Sequence, residues 1–98
     1  MRALLLAAAV FAAAPAFAQP AQAPTRLTLS DASRAPTGRT IIDGANWRCE
    51  GAVCTASGGA NQPATRACRR VVQRVGAVTS FAWKGVELSA AELAACNA

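Results

Sequence analysis

The chain has 98 residues with ten Lys or Arg against five Asp or Glu, and it contains no His and no Tyr. The missing His excludes Ser-His-Asp and Cys-His catalysis as well as haem attachment through C-x-x-C-H. Nine of the ten basic residues are Arg and the single Lys is Lys84, so general acid–base chemistry has little to draw on.

Met1-Arg2 opens the chain with one positive charge, and Ala3 to Ala14 is an unbroken apolar run. Pro15 interrupts it, and Ala16-Phe17-Ala18 precedes Gln19. This three-part pattern predicts a signal peptide over 1–18, cleaved near Ala18. The run falls short of the roughly 20 apolar residues that a membrane-spanning helix needs. There is no Cys after the cleavage point and no twin-Arg pair, which favours the general secretory route. A periplasmic or secreted protein of about 80 residues and a net charge of about +4 is expected to remain.

A chain of that size has a marginal core, and disulfides are the common remedy. Cys49, Cys54, Cys68 and Cys96 are an even set in a short exported chain, which reads as two bridges.

Residues 19–39 carry Pro20, Pro24 and Pro36 among Ala, Gln, Ser, Thr and Gly, and are expected to form a flexible N-terminal tail. Within it Leu27-Thr28-Leu29 can add a short strand. The folded domain is expected over 40–98. Thr40-Ile41-Ile42 predicts a strand, and Asp43-Gly44 a turn. Trp47-Arg48-Cys49 and Cys54-Thr55-Ala56 predict a hairpin reversing at Gly51-Ala52, where Gly at the first central position suits a type II′ turn. Cys49 then faces Cys54 in a non-hydrogen-bonded pair, with Cα atoms about 4.5 Å apart, within reach of a disulfide. Trp47 shares the face of Cys49 and is expected to pack on or beside the bridge.

A helix is expected to open near Pro63 and stop at Gly76. Cys68, Val71, Val72 and Val75 form its apolar face, with Arg66, Arg69, Arg70 and Arg74 on the others. Val78 to Trp83 predicts a strand with Thr79, Phe81 and Trp83 on one face, and Lys84-Gly85 a turn. Ser89-Ala90-Ala91-Glu92 is a capping box, flanked by Leu88 and Leu93 as a hydrophobic staple. The short helix from about Ala90 to Cys96 cannot stand alone in water. Cys68 is its natural anchor, so Cys49–Cys54 with Cys68–Cys96 is favoured over the two other connectivities. Chain-entropy arithmetic assigns ~2 kcal/mol to the short loop and ~3.5 kcal/mol to the long one. The fold class is α+β: a small disulfide-stapled domain, with a short antiparallel sheet packed against two short helices.

Trp47-x-Cys49-x-Gly51-x-x-Cys54, then Pro63 before a helix bearing Cys68, Val75-Gly76, Phe81 and terminal Cys96-Asn97-Ala98 together resemble a family of small exported alphaproteobacterial proteins of unknown function. The resemblance spans Trp47 to Ala98 and the leader, and leaves out the tail from Gln19 to Arg39. It implies a compact two-bridge domain and carries no catalytic or binding residues.

Candidate chemistries are few. Zinc ribbons use two close cysteine pairs, whereas Cys68 and Cys96 are far apart, so no metal and no cofactor is expected. A thioredoxin-like dithiol needs two cysteines two residues apart at a helix start, and Cys49 and Cys54 sit on a hairpin instead. No enzyme is expected. Arg66, Arg70 and Arg74 recur every four residues with Arg69 beside them, and Arg forks suit phosphate and carboxylate. The bland alternative is a solvated helix face. The leading reading is a non-enzymatic domain that binds an envelope protein or an anionic envelope component through these arginines and an exposed Trp83, and takes no nucleic acid. The second is an inhibitor or modulator of an envelope enzyme acting through the stapled hairpin tip, Glu50 to Val53.

Overall fold

The computed structural model describes residues 23–98. The expected leader over 1–18 lies outside the described residues, as does the start of the expected tail.

The first described element overturns the boundary drawn at Thr40. Thr25–Leu29 is strand β1, with Thr25, Leu27 and Leu29 buried and Arg26 and Thr28 turned the other way. The remaining strands are β2 (Thr40–Ile42), β3 (Ala45–Glu50), β4 (Val53–Gly58), β5 (Val78–Trp83) and β6 (Val86–Glu87). All pair antiparallel in one six-stranded sheet of order β2-β3-β4-β1-β5-β6. β1 is thus an inner strand, bonded to β4 on one side and β5 on the other. Its two leucines supply an apolar alternation that needs both neighbours to be buried. A single 3-10 turn, Ala32–Arg34, follows, capped by Asp31, whose carboxylate accepts from the Ser33 N–H at 3.0 Å and its hydroxyl at 2.7 Å.

The β2–β3 and β3–β4 hairpins follow their turn chemistry. Asp43 and Gly44 both have positive φ, 50° and 79°, as a type I′ turn requires. At the β3–β4 turn Gly51 alone is positive, at 62°, which fits type II′. Cys49 and Cys54 are directly opposite and bridged, with Cα atoms 4.0 Å apart. Cys68 and Cys96 form the second bridge. On the core face Cys49, Cys54, Leu27 and Phe81 make one transverse row by register. Trp47 lies on that face, buried, its ring 6.2 Å from that of Phe81.

β5 departs from strict alternation. Thr28 pairs with Ser80 but Leu29 pairs with Val78, leaving Thr79 as an extra residue. This bulge turns Thr79 out to solvent and puts Val78 into the core with Phe81, so the expected Thr79–Phe81–Trp83 face is corrected at its first member.

Helix α1 (Ala64–Val75) starts after Pro63 and ends at Gly76, whose φ is +84°. It buries Ala64, Ala67, Cys68, Val71 and Val75, an i, i+3, i+4, i+7 stripe. Helix α2 (Ala90–Asn97) carries the capping box: Ser89 Oγ accepts from Glu92 N at 3.2 Å, and Glu92 Oε1 accepts from Ser89 N at 2.8 Å. Both helices pack on β5 and on each other. The Asn97 side chain behaves as a fragment of strand. Its Oδ1 accepts from Val78 N at 2.9 Å and its Nδ2 donates to Val78 O at 2.7 Å, which ties the end of α2 to β5.

Candidate functional site

α1 presents its arginines because its apolar stripe is spent on the core. With Ala64, Ala67, Cys68, Val71 and Val75 inward, Arg66, Arg69, Arg70 and Arg74 are all exposed. Arg66, Arg70 and Arg74 form one row by helical spacing, and Arg69 stands on its flank.

The row is not free along its length. Arg70 donates from Nε to Asp43 Oδ1 at 3.3 Å and Oδ2 at 3.2 Å, and from Nη2 to Oδ1 at 3.1 Å. Gln62 Nε2 donates to the same carboxylate at 3.0 Å. The left-handed turn between β2 and β3 puts Asp43 there, with its side chain only 17% exposed. The Arg70 hydrogen bonds, then that from Gln62, hold the Asp43 carboxyl below the usual carboxylate range, and the charges of Arg70 and Arg66 act in the same direction. The Arg70 guanidinium is raised in turn by its bonds to Asp43. Arg70 is thereby oriented as one member of an ion pair. Among the described residues the recorded salt bridges are Arg70–Asp43 and Arg26–Glu87, so Arg66, Arg69 and Arg74 keep their charge for other uses.

Arg70 and Arg74 line a cleft of about 250 Å³ together with Gln73, Ile41, Ile42 and Asp43. Ile41 is 66% exposed. A further arginine lies near the far end of α1. A Cβ on Gly76 would sit 3.1 Å from Arg34 Nε, so the Arg34 side chain packs on the bare Gly76 backbone at the negative end of the helix dipole.

Trp83 does not join this face. It is 2% exposed, stacks on Phe81 at 6.4 Å with 6° between the planes, and donates from Nε1 to Ala60 O at 3.2 Å. Gly59, at φ +108°, makes room for it: a Cβ there would lie 2.7 Å from Trp83 Cη2. The expectation of an exposed binding Trp83 is therefore corrected, because a large indole with a satisfied N–H is worth more in a small core than on the surface.

The hairpin tip is held rather than loose. Leu29 N donates to Ala52 O at 2.7 Å, fastening the Gly51-Ala52 turn to β1 beside the Cys49–Cys54 bridge. Val53 is 52% exposed there, and Arg48, Glu50, Val53 and Thr55 line a hollow of about 390 Å³. All four cysteines are in disulfides, which removes thiolates as ligands or nucleophiles.

Sequence reasoning had the arginines but missed Asp43, Gln62, Ile41 and Arg34. Asp43 carried a usable signal, since a carboxylate beside a Gly in so basic a chain is a candidate Arg partner. The other three owe their places to tertiary contacts between segments far apart in the chain.

Residues 6–98 match the family described as Family of unknown function (DUF8200), and the chain belongs to it. The match takes in the segment from Gln19 to Arg39 that the motif resemblance had left out, in keeping with the inner position of β1. No curated protein and no solved structure matches significantly.

Proposed function

We propose, from membership of a family with no assigned activity, that this is an exported, non-enzymatic domain that binds an acidic or anionic envelope partner through the arginine face of α1. The observation that carries the reading is the division of labour along that face. Asp43 fixes the orientation of Arg70, while Arg66, Arg69 and Arg74 stand exposed around it with no acidic partner recorded among the described residues. Gln62 in turn donates to the Asp43 carboxylate, so the clamp on Arg70 is a three-residue network rather than an isolated surface pair. Two disulfides and an apolar leader support work outside the cytoplasm. No helix among the described residues is long and apolar enough to cross a membrane.

The test is binding of the purified protein to polyglutamate and to phosphatidylglycerol vesicles across a salt series. Affinity is expected to fall with salt, and the triple variant Arg66→Gln, Arg69→Gln, Arg74→Gln is expected to lose about tenfold or more, with Arg70 kept so that Asp43 is not orphaned. Equal binding by the triple variant would remove the reading.

A second reading rests on the stapled tip. Val53 is exposed on a turn fastened by both a disulfide and the Leu29–Ala52 hydrogen bond, so little ordering entropy would be lost when it seats in the cleft of an envelope enzyme.

A further inference from the structure

We infer that the outer edge of β2 and the arginine row of α1 form one docking surface, which takes an extended polypeptide segment with alternating acidic and apolar residues as a seventh strand of the sheet. The inference rests on the reading of the arginine face and names its partner. The backbone argument comes from register. Ile42 and Ala45 flank the two-residue Asp43-Gly44 turn, so they are a hydrogen-bonded pair, as are Thr40 and Trp47 two places on. Ile41, opposite Asn46, is the non-hydrogen-bonded position between them, and its N–H and C=O point away from β3. β2 is the end strand of the sheet, so these groups face outward. Natural edges are usually blunted by shortness, or by Lys, Pro or inward charge. β2 is short, but it has no Lys, Pro or inward charge, and it shows solvent an isoleucine.

The side-chain argument selects the occupant. Side chains of an added strand alternate between the two faces of the sheet. On the face away from the helices they meet Ile41, which asks for apolar residues. On the helix side they meet Arg74, which lines the cleft beside Ile41 and Ile42 and asks for a carboxylate, next to Arg70 in its bond to Asp43. A carboxylate on the added strand therefore pairs with Arg74, for which no salt bridge is found among the described residues. Exposed Arg39, just before β2, adds to the positive field, and Asp43 opposes it from within its bond to Arg70.

The experiment measures binding of the purified protein to three probes: a peptide alternating Glu and Val, a permuted peptide with the same residues in two blocks, and phosphatidylglycerol vesicles. The alternating peptide is expected to bind about tenfold tighter than the permuted one. Ile41→Pro removes the outward N–H while leaving the β2–β3 bonds of Thr40 and Ile42, and is expected to cost the alternating peptide about tenfold and the vesicles nothing. Circular dichroism verifies that this variant folds. In the unaltered protein, exchange of the Ile41 amide is expected to slow when the alternating peptide is added. Equal binding of the two peptides, or an Ile41 amide that exchanges as before, overturns the strand pairing. If both peptides and the vesicles then still lose affinity in the triple arginine variant, the arginine reading stands without it. Should none of the probes bind, both fall.

Discussion

The two helices are held in opposite ways. α1 buries five residues in a continuous stripe and would stay on the sheet by apolar contact alone, whereas α2 buries only Cys96. α2 keeps its place through specific local devices: the Ser89–Glu92 capping box at its start, the bridge to Cys68, and the Asn97 amide on Val78 at its end. Burial worth ~1.5–3 kcal/mol per large apolar side chain is spread widely over α1. In α2 the same job falls to a few bonds that can be cut singly. A small disulfide-bonded domain can thus place a helix with almost no core of its own, provided that a capping box closes its start and covalent and polar anchors hold its end.

The sharpest way to break this contrast is to remove the bridge. Cys68→Ser with Cys96→Ser is expected to lower stability by ~3.5 kcal/mol and to release α2 while α1 remains docked. Denaturant unfolding gives the first quantity, and amide exchange separates the helices. Equal loss of protection in both would show that α1 depends on α2 after all. A smaller effect is expected of Asn97→Ala. It removes two hydrogen bonds and leaves Val78 N–H and C=O short of partners, at about 1–3 kcal/mol, with increased exchange confined to the end of α2 and the start of β5. The smallest effect falls on α1. Its polar tether titrates, since the Arg70 bonds hold the Asp43 carboxyl below its ordinary value, whereas the Asn97 amide does not titrate at all. A depressed folded-state pKa contributes stability that is present above the unfolded value and is lost as pH falls through the folded one. Acidification from neutral is therefore expected to free the Arg70 Nε–H only below the normal carboxylate range, with α2 unaffected. NMR titration of the Asp43 carboxyl and the Arg70 Nε–H checks this.

Much of the fold was legible where it is local. Both hairpin turns, the capping box, the helix stops at Gly76 and the facing pair Cys49–Cys54 are each written within a few residues. So is the pairing of Cys68 with Cys96, once each is on a helix. What escaped depends on distant segments. β1 has two leucines in a proline-rich stretch, and only β4 and β5 together make it an inner strand. The bulge at Thr79 arises from fitting β5 to β1, so no alternation rule reveals it. Trp83 read as a surface residue because the space for it is supplied by Gly59, 24 positions away by the numbering. The site divides in the same way. The arginine row was visible as a helical repeat, while the Asp43 clamp and the neighbouring β2 edge appeared only when turn and helix were brought together.

The position of β1 also governs the order of assembly. It precedes every other strand among the described residues, yet it fills the gap between β4 and β5, whose residues come some 25 to 60 positions later. A chain emerging from its N-terminus can close the β3–β4 hairpin early and on its own, but β1 stays unpaired on one edge until Trp83 has emerged. Sheets completed by such long-range pairing close slowly. The sheet therefore stays incomplete until nearly the whole chain is out. The final stages, β5 meeting β1 and Asn97 seating on Val78, fall within the last fifth of the sequence.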